Sequence, residues 1–301
     1  MRVLATLSLC GFLFMFTGCG GNSAIAPFSG PLTGNWQINL TQRYPTPPTA
    51  LSAAGFLVQT TNSLTGSVQG PSIFGSNGVT GCGGVGQVTG TVSGQNVTFS
   101  LNPGATVFNF TGSISADYQS MSGTYQALGG VCYGDPTSGT WMATFVPSLT
   151  GNYTGELTDS TYMSVLTGAN PAAPIIVTAS LSQSSNANSS TATVTGTINA
   201  VGYPCFTKAY LSGTINGANV YLGVFDYSGV QIGTLGVPGT GADGIGTPAT
   251  VMASSTGISL VGTGTGGLAL GNGGIPPCPP IAQPSGTSLT SDDSTITLSL
   301  Q

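Results

Sequence analysis

The chain has 301 residues, of which 48 are Gly and 19 are Pro, so about a fifth of its positions set or free the backbone rather than fill a core. Hydrophobic residues make up 40% and only 4% carry charge, with a formal net charge of −5, which supplies a core and excludes disorder driven by charge. There is no His, and the only cations are Arg2, Arg43 and Lys208, which excludes a phosphate-neutralising surface, a His base, a His-bearing metal site and a Ser-His-Asp triad.

Met1 and Arg2 precede an apolar run from Val3 to Phe16, and Thr17, Gly18 and Cys19 follow it. At 14 residues the run is shorter than the roughly 20 a spanning helix needs, and its layout is that of a removable targeting segment. The Thr17-Gly18-Cys19 junction resembles the end of a bacterial lipoprotein signal peptide, where a small residue precedes the Cys that becomes the mature N-terminus. The resemblance implies removal of residues 1–18, diacylglycerol on Cys19 and a mature chain of 301 minus 18, or 283, residues. Several acyl chains on one terminus hold a protein stably to a membrane. The other reading is an ordinary secretory signal in which Cys19 has no role. Within the resemblance, Gly20 in the place of Asp implies delivery to the outer membrane or cell surface. Residues 19–31 then comprise the lipidated Cys and a small, polar, turn-rich tether.

An internal repeat organises the rest of the chain. Leu32-Thr33-Gly34-Asn35-Trp36 returns 117 residues later as Leu149-Thr150-Gly151-Asn152-Tyr153. Val88-Thr89-Gly90-Thr91-Val92 and its Ser93-Gly94-Gln95-Asn96-Val97 turn return 123 residues later as Leu211-Ser212-Gly213-Thr214-Ile215 and Asn216-Gly217-Ala218-Asn219-Val220. Two homologous domains are predicted, 32–147 and 148–301, the second with longer loops.

In the first domain, alternation of apolar and hydroxylated residues predicts strands over Asn35–Thr41, Gly55–Gln59, Leu64–Val68, Gln87–Val92, Val97–Leu101, Val107–Ser115, Ser120–Gln126 and Thr140–Val146. In the second it predicts a hairpin, Ala209–Ile215 with Val220–Val224, around an Asn216-Gly217 turn. Strong helix formers are scarce, so almost no helix is expected beyond the signal segment.

The predicted fold class is all-β: two tandem antiparallel β domains, each a small up-and-down barrel or, failing that, a sandwich. Gly34-Asn35-Trp36 on the first strand and Gly139-Thr140-Trp141 on the last can pair and close the sheet, removing its edges. A Gly-x-Trp on a first strand resembles the lipocalin and avidin group, which implies a calycin-like barrel. Packing is the expected role of Trp36 and Trp141.

Setting aside Cys10 and Cys19 leaves Cys82, Cys132, Cys205 and Cys278, which can pair in three ways. One early and one late Cys per repeat favours Cys82 with Cys132 and Cys205 with Cys278, each bridge contributing about 4 kcal/mol in chain-entropy terms. Without His or Cys-x-x-Cys spacing no metal site is expected, and no cofactor is called for.

Acidic residues are Asp117, Asp135, Glu156, Asp159, Asp226, Asp243, Asp292 and Asp293. Glycoside hydrolysis needs a positioned carboxyl pair, for which Glu156 and Asp159 are the nearest candidates. Asp117, Asp226, Asp243, Asp292 and Asp293 sit among Gly, Ser and Tyr, where Asp shapes turns, and Asp292-Asp293 alone is too little for a calcium cage. Gly239 to Gly246 lacks the Lys and the helix of a phosphate loop and is expected to be extended.

The chain as a whole resembles Thr/Gly-rich bacterial lipoproteins with duplicated β domains, a resemblance that implies no activity. Three functions follow as expectations. The first is a non-catalytic, lipid-anchored envelope protein with a surface-binding or structural role, partnered by a polysaccharide or an envelope protein and not by nucleic acid. The second is a calycin-like carrier of a small apolar ligand, with room left by Gly90, Gly112, Gly123 and Gly213. The third is a carbohydrate-active enzyme using an acidic pair.

Overall fold

The computed structural model describes residues 30–43, 50–70, 84–104, 106–128, 138–159, 173–184, 189–203, 206–235, 249–254, 257–262 and 294–301. No helix occurs among the described residues. The first eight strands are β1 (Gly34–Gln42), β2 (Ala50–Thr60), β3 (Ser63–Gln69), β4 (Val85–Ser93), β5 (Asn96–Asn102), β6 (Val107–Ile114), β7 (Ser120–Leu128) and β8 (Ser138–Val146). Each pairs with the next, and β8 pairs back onto β1, giving a closed antiparallel barrel. The closing register sets Trp36 opposite Phe145 and Leu40 opposite Trp141. Closure removes the unpaired edge that an open sheet of this length would expose.

Strand alternation decides which residues fill the barrel. Val88, Val97, Phe99, Leu101, Phe108 and Phe110 are buried among the inward positions. Outside, Thr41, Thr140, Thr124, Thr111, Thr98 and Thr91 follow one another across the strands as direct cross-strand neighbours, all exposed. The Thr91 and Thr98 hydroxyls lie 3.0 Å apart, and such β-branched pairs stabilise a sheet face. Apolar inside and hydroxylated outside is the reverse of a bilayer-spanning barrel.

The repeated pentapeptide is explained by one bonding pattern built twice. Trp36 Nε1 donates to the Leu32 carbonyl at 3.0 Å, and the Tyr153 hydroxyl donates to the Leu149 carbonyl at 3.0 Å. Leu32 N donates to Gln59 Oε1 at 3.2 Å, and Leu149 N donates to Gln183 Oε1 at 2.9 Å. The backbone N–H groups of Gln59 and Gln183 in turn donate to Thr33 Oγ1 and Thr150 Oγ1, both at 3.0 Å. Trp and Tyr are interchangeable here because each carries one donor at the far end of an apolar ring. The pattern tucks Leu32 and Leu149, both fully buried, against the two cores.

The remaining strands are β9 (Gly151–Asp159), β10 (Ile175–Gln183), β11 (Ala192–Ala200), β12 (Lys208–Asn216), β13 (Asn219–Phe225), β14 (Gln231–Leu235), β15 (Ala249–Ser254), β16 (Gly257–Gly262) and β17 (Ser294–Leu300). They form one antiparallel sheet, and an additional β12–β13 pairing returns it on itself through β13, β15, β16, β17 and β9. Along β13, Asn219 and Val220 pair with β15, whereas Leu222 to Phe225 pair with β14. The place that β6 alone fills beside β5 is thus shared by two strands beside β13, with residues 236–248 between them in sequence.

The two sheets touch through a hairpin tip. Asn35 Nδ2 donates to the Gly217 carbonyl at 2.8 Å, Gly217 N donates to Asn35 Oδ1 at 3.1 Å, and Ala218 N donates to Gln37 Oε1 at 3.1 Å. Asn35 and Ala54 lie outside the barrel wall, yet each is only 6% exposed. A Cβ at Gly217 would meet the Ala54 methyl at 2.5 Å, so the tip needs a glycine for close approach as well as for its φ of +56°.

Among the described residues, two buried hydroxyls of the barrel are unpaired, those of Ser67 and Tyr125. The Tyr125 hydroxyl has no hydrogen-bond partner, and burial raises its pKa above the ordinary phenol value of about 10. A raised folded-state pKa contributes stability that is present below about pH 10 and lost as pH rises beyond it. Tyr125→Phe is therefore expected to raise stability by about 1 kcal/mol and to reduce the alkaline loss. Urea unfolding at neutral and alkaline pH checks this, and a destabilised variant would show that the hydroxyl has a partner.

Candidate functional site

Among the described residues, exposed aromatic side chains meet at one end of β12. Lys208 and Tyr210 occupy outward positions of that strand, and Tyr210 faces Phe225 across the β12–β13 ladder. Beyond Phe225 the chain turns through Asp226-Tyr227-Ser228-Gly229 into β14. Asp226 builds this turn. Its Oδ1 accepts from Ser228 N at 2.8 Å, Ser228 Oγ at 2.7 Å and Val230 N at 2.9 Å, and none of these bonds uses Oδ2. The Ser228 hydroxyl bond, followed by the Val230 backbone bond, lowers the Asp226 pKa below the ordinary carboxyl value. Gly229 takes φ +83°, a conformation that excludes most side chains and completes the turn.

The fixed turn presents Tyr227 to solvent at 61% exposure beside Tyr210 at 45%. Their ring centroids are 5.1 Å apart with planes at 75°, an edge-to-face pair. Lys208 Nζ stands 5.9 Å from the Tyr227 ring centroid, within cation–π range. Phe225 folds over the bare backbone of Gly223, where a Cβ would meet its ring at 2.5 Å. Tyr210, Ser212, Phe225, Asp226, Tyr227 and Gly229 together line an open cleft of about 420 Å³. Aromatic walls with a few hydroxyl and carboxylate groups suit a ligand that has flat apolar faces and polar edges.

Sequence reasoning did not single out these tyrosines. A signal was nonetheless present in the repeat: at the same offset the first copy has Val85 for Lys208, Gln87 for Tyr210 and Gly104 for Tyr227. The cleft is thus specific to the second copy.

Residues named from the sequence fall elsewhere. Glu156 is exposed on β9, and Asp159 ends the same strand three positions on. Asp117 shapes the β6–β7 turn as expected: its Oδ1 accepts from Ser115 Oγ at 2.6 Å and Gln119 N at 3.0 Å, bonds that lower its pKa. Gly90, Gly112, Gly123 and Gly213 do not open space. Neighbouring backbone crowds each of them, with Phe99 against Gly90 and the Trp141 ring 2.9 Å from where a Gly112 Cβ would sit. Trp36 and Trp141 are both buried packing residues. Cys19, Cys82, Cys132, Cys205 and Cys278, along with Asp135, Asp243, Asp292 and Asp293, lie outside the described residues.

Compared with family models, curated proteins and solved structures, the chain matches none of them.

Proposed function

We propose that the chain is an extracytoplasmic lipoprotein without catalytic activity, anchored to the outer membrane through Cys19, that binds a neutral polysaccharide in the Tyr210–Tyr227 cleft. The observation that carries the reading is the pair of exposed tyrosines, 5.1 Å apart, on a turn fixed by Asp226. A pyranose ring has a C–H face that packs on an aromatic ring and hydroxyl edges that hydrogen-bond to Ser212 and to the carboxylate. Preorganisation matters because an exposed side chain that is already ordered loses little further entropy on binding. Tyr suits this role, having a large contact area and few torsions.

The anchor rests on the Thr17-Gly18-Cys19 junction after the apolar run. Cys19→Ala is expected to release the chain from the detergent phase or to block its processing; unchanged partitioning together with unchanged mature mass would refute the anchor. Binding is tested by retention of the purified chain on immobilised neutral polysaccharides at low and high salt. Retention should be alike at both, because Lys208 and Asp226 are the charged side chains that the described residues place at the cleft, too few for a strongly screened interaction. Loss of retention at high salt would assign the binding to charge instead.

A further inference from the structure

We propose that the chain self-associates head to tail, the β4–β5 turn of one copy docking on Asn152 of the next as the β12–β13 turn docks on Asn35 within the chain. The internal contact is the template: an asparagine amide on a first strand exchanges two hydrogen bonds with the peptide of a hairpin-tip glycine. Each half of the chain carries both parts, and the internal contact uses only one part from each.

The unused turn matches the used one. Gly94 has φ +57° against +56° at Gly217, and Ser93 pairs with Asn96 as Asn216 pairs with Asn219. The unused acceptor matches as well. Asn152 follows Gly151 at φ +155° as Asn35 follows Gly34 at φ +153°, and Ser180 of β10 faces it as Phe56 of β2 faces Asn35. Asn35 is buried by its partner, whereas Asn152 is exposed, and nothing lies within 4 Å of where a Gly94 Cβ would be.

Two different surfaces joined in this way make a heterologous contact, which propagates into a ring or an open row rather than stopping at a symmetric dimer. Support around the amide differs between the two sites. Thr154 and Thr178 stand where Gln37 and Ala54 stand in the internal contact, so a shorter side chain replaces the amide that accepts from Ala218 N and a bulkier one replaces the Ala54 methyl. The contact between copies is accordingly the weaker of the two, and it favours chains concentrated on a surface.

The test places a photo-cross-linking amino acid at Gln95, an exposed position of the free turn, in the full chain expressed in cells. The expected result is a ladder of dimer and larger species whose cross-linked peptides map to β9 or β10 beside Asn152. Asn152→Asp, which removes the amide donor at an exposed position, should abolish the ladder. A monomer band alone, cross-links that map elsewhere in a second copy, or a ladder unchanged in Asn152→Asp would each overturn the proposal. The mapping needs no substitution at Asn152, so it stands even where that variant fails to accumulate.

Discussion

Trp141→Ala is expected to destabilise the barrel by about 3–5 kcal/mol, the largest single effect predicted for this chain. The Trp141 ring is 2% exposed and makes edge-to-face contacts with Phe99 and Phe110 at centroid distances of 5.4 and 5.5 Å. It lies across Gly112 and Gly123, which face each other on β6 and β7 and leave the width an indole requires. Its Nε1 donates to the Thr124 carbonyl at 3.1 Å and the Thr111 carbonyl at 3.3 Å. Removal therefore creates a cavity and strips a donor from two carbonyls at once. Urea unfolding followed by circular dichroism measures the change, and a loss under about 1 kcal/mol would mean that the ring is not the keystone of this core.

Replacing both Tyr210 and Tyr227 with alanine is expected to abolish polysaccharide retention while leaving the unfolding transition nearly unmoved. Truncating a central aromatic contact costs about 2 kcal/mol or more in a binding surface, roughly a thirtyfold loss of affinity for each residue. Both rings are substantially exposed, so little folding energy resides in them. Asp226→Ala keeps both rings while freeing the turn and removing the carboxylate from the cleft. Affinity should fall by less than in the double variant, and affinity electrophoresis on a series of neutral polysaccharides compares the three proteins.

Much of the fold was legible because the barrel repeats one simple pattern. Val88, Gly90 and Val92 against Gln87, Thr89 and Thr91 already gives β4 its two faces, and each of the eight strands expected in the first half is present. Closure was legible from the two Gly-x-Trp strands, although the register pairs Trp36 with Phe145 rather than one tryptophan with the other. The glycines misled on one point. A strand glycine facing inward can leave a hole or admit a neighbour, and the sequence of Gly112 or Gly123 does not say which; the position of Trp141, on a different strand, decides it.

Function was harder to read, for a physical reason. Tyr210 and Tyr227 are separated by a strand, a tight turn and a second strand, and only the β12–β13 register and the Asp226 turn bring them together. Asn35 and Gly217 are 182 residues apart, each inside a repeat motif whose twin has no such contact. Contacts between copies of a repeat leave no periodic trace, because each partner's twin carries the same residue without the contact.

The most direct measurement is a titration of the mature chain, carrying isotope-labelled tyrosine rings, with soluble neutral oligosaccharides. Ten tyrosines report on the surface, on the cores and on β9 at once. Binding in the Tyr210–Tyr227 cleft predicts saturable shifts of those two ring signals, with Tyr125 and Tyr153 unmoved and the oligosaccharide recovered intact. Shifts centred on Tyr125 or Tyr153, or oligosaccharide cleaved in a manner lost in Glu156→Gln, would contradict it.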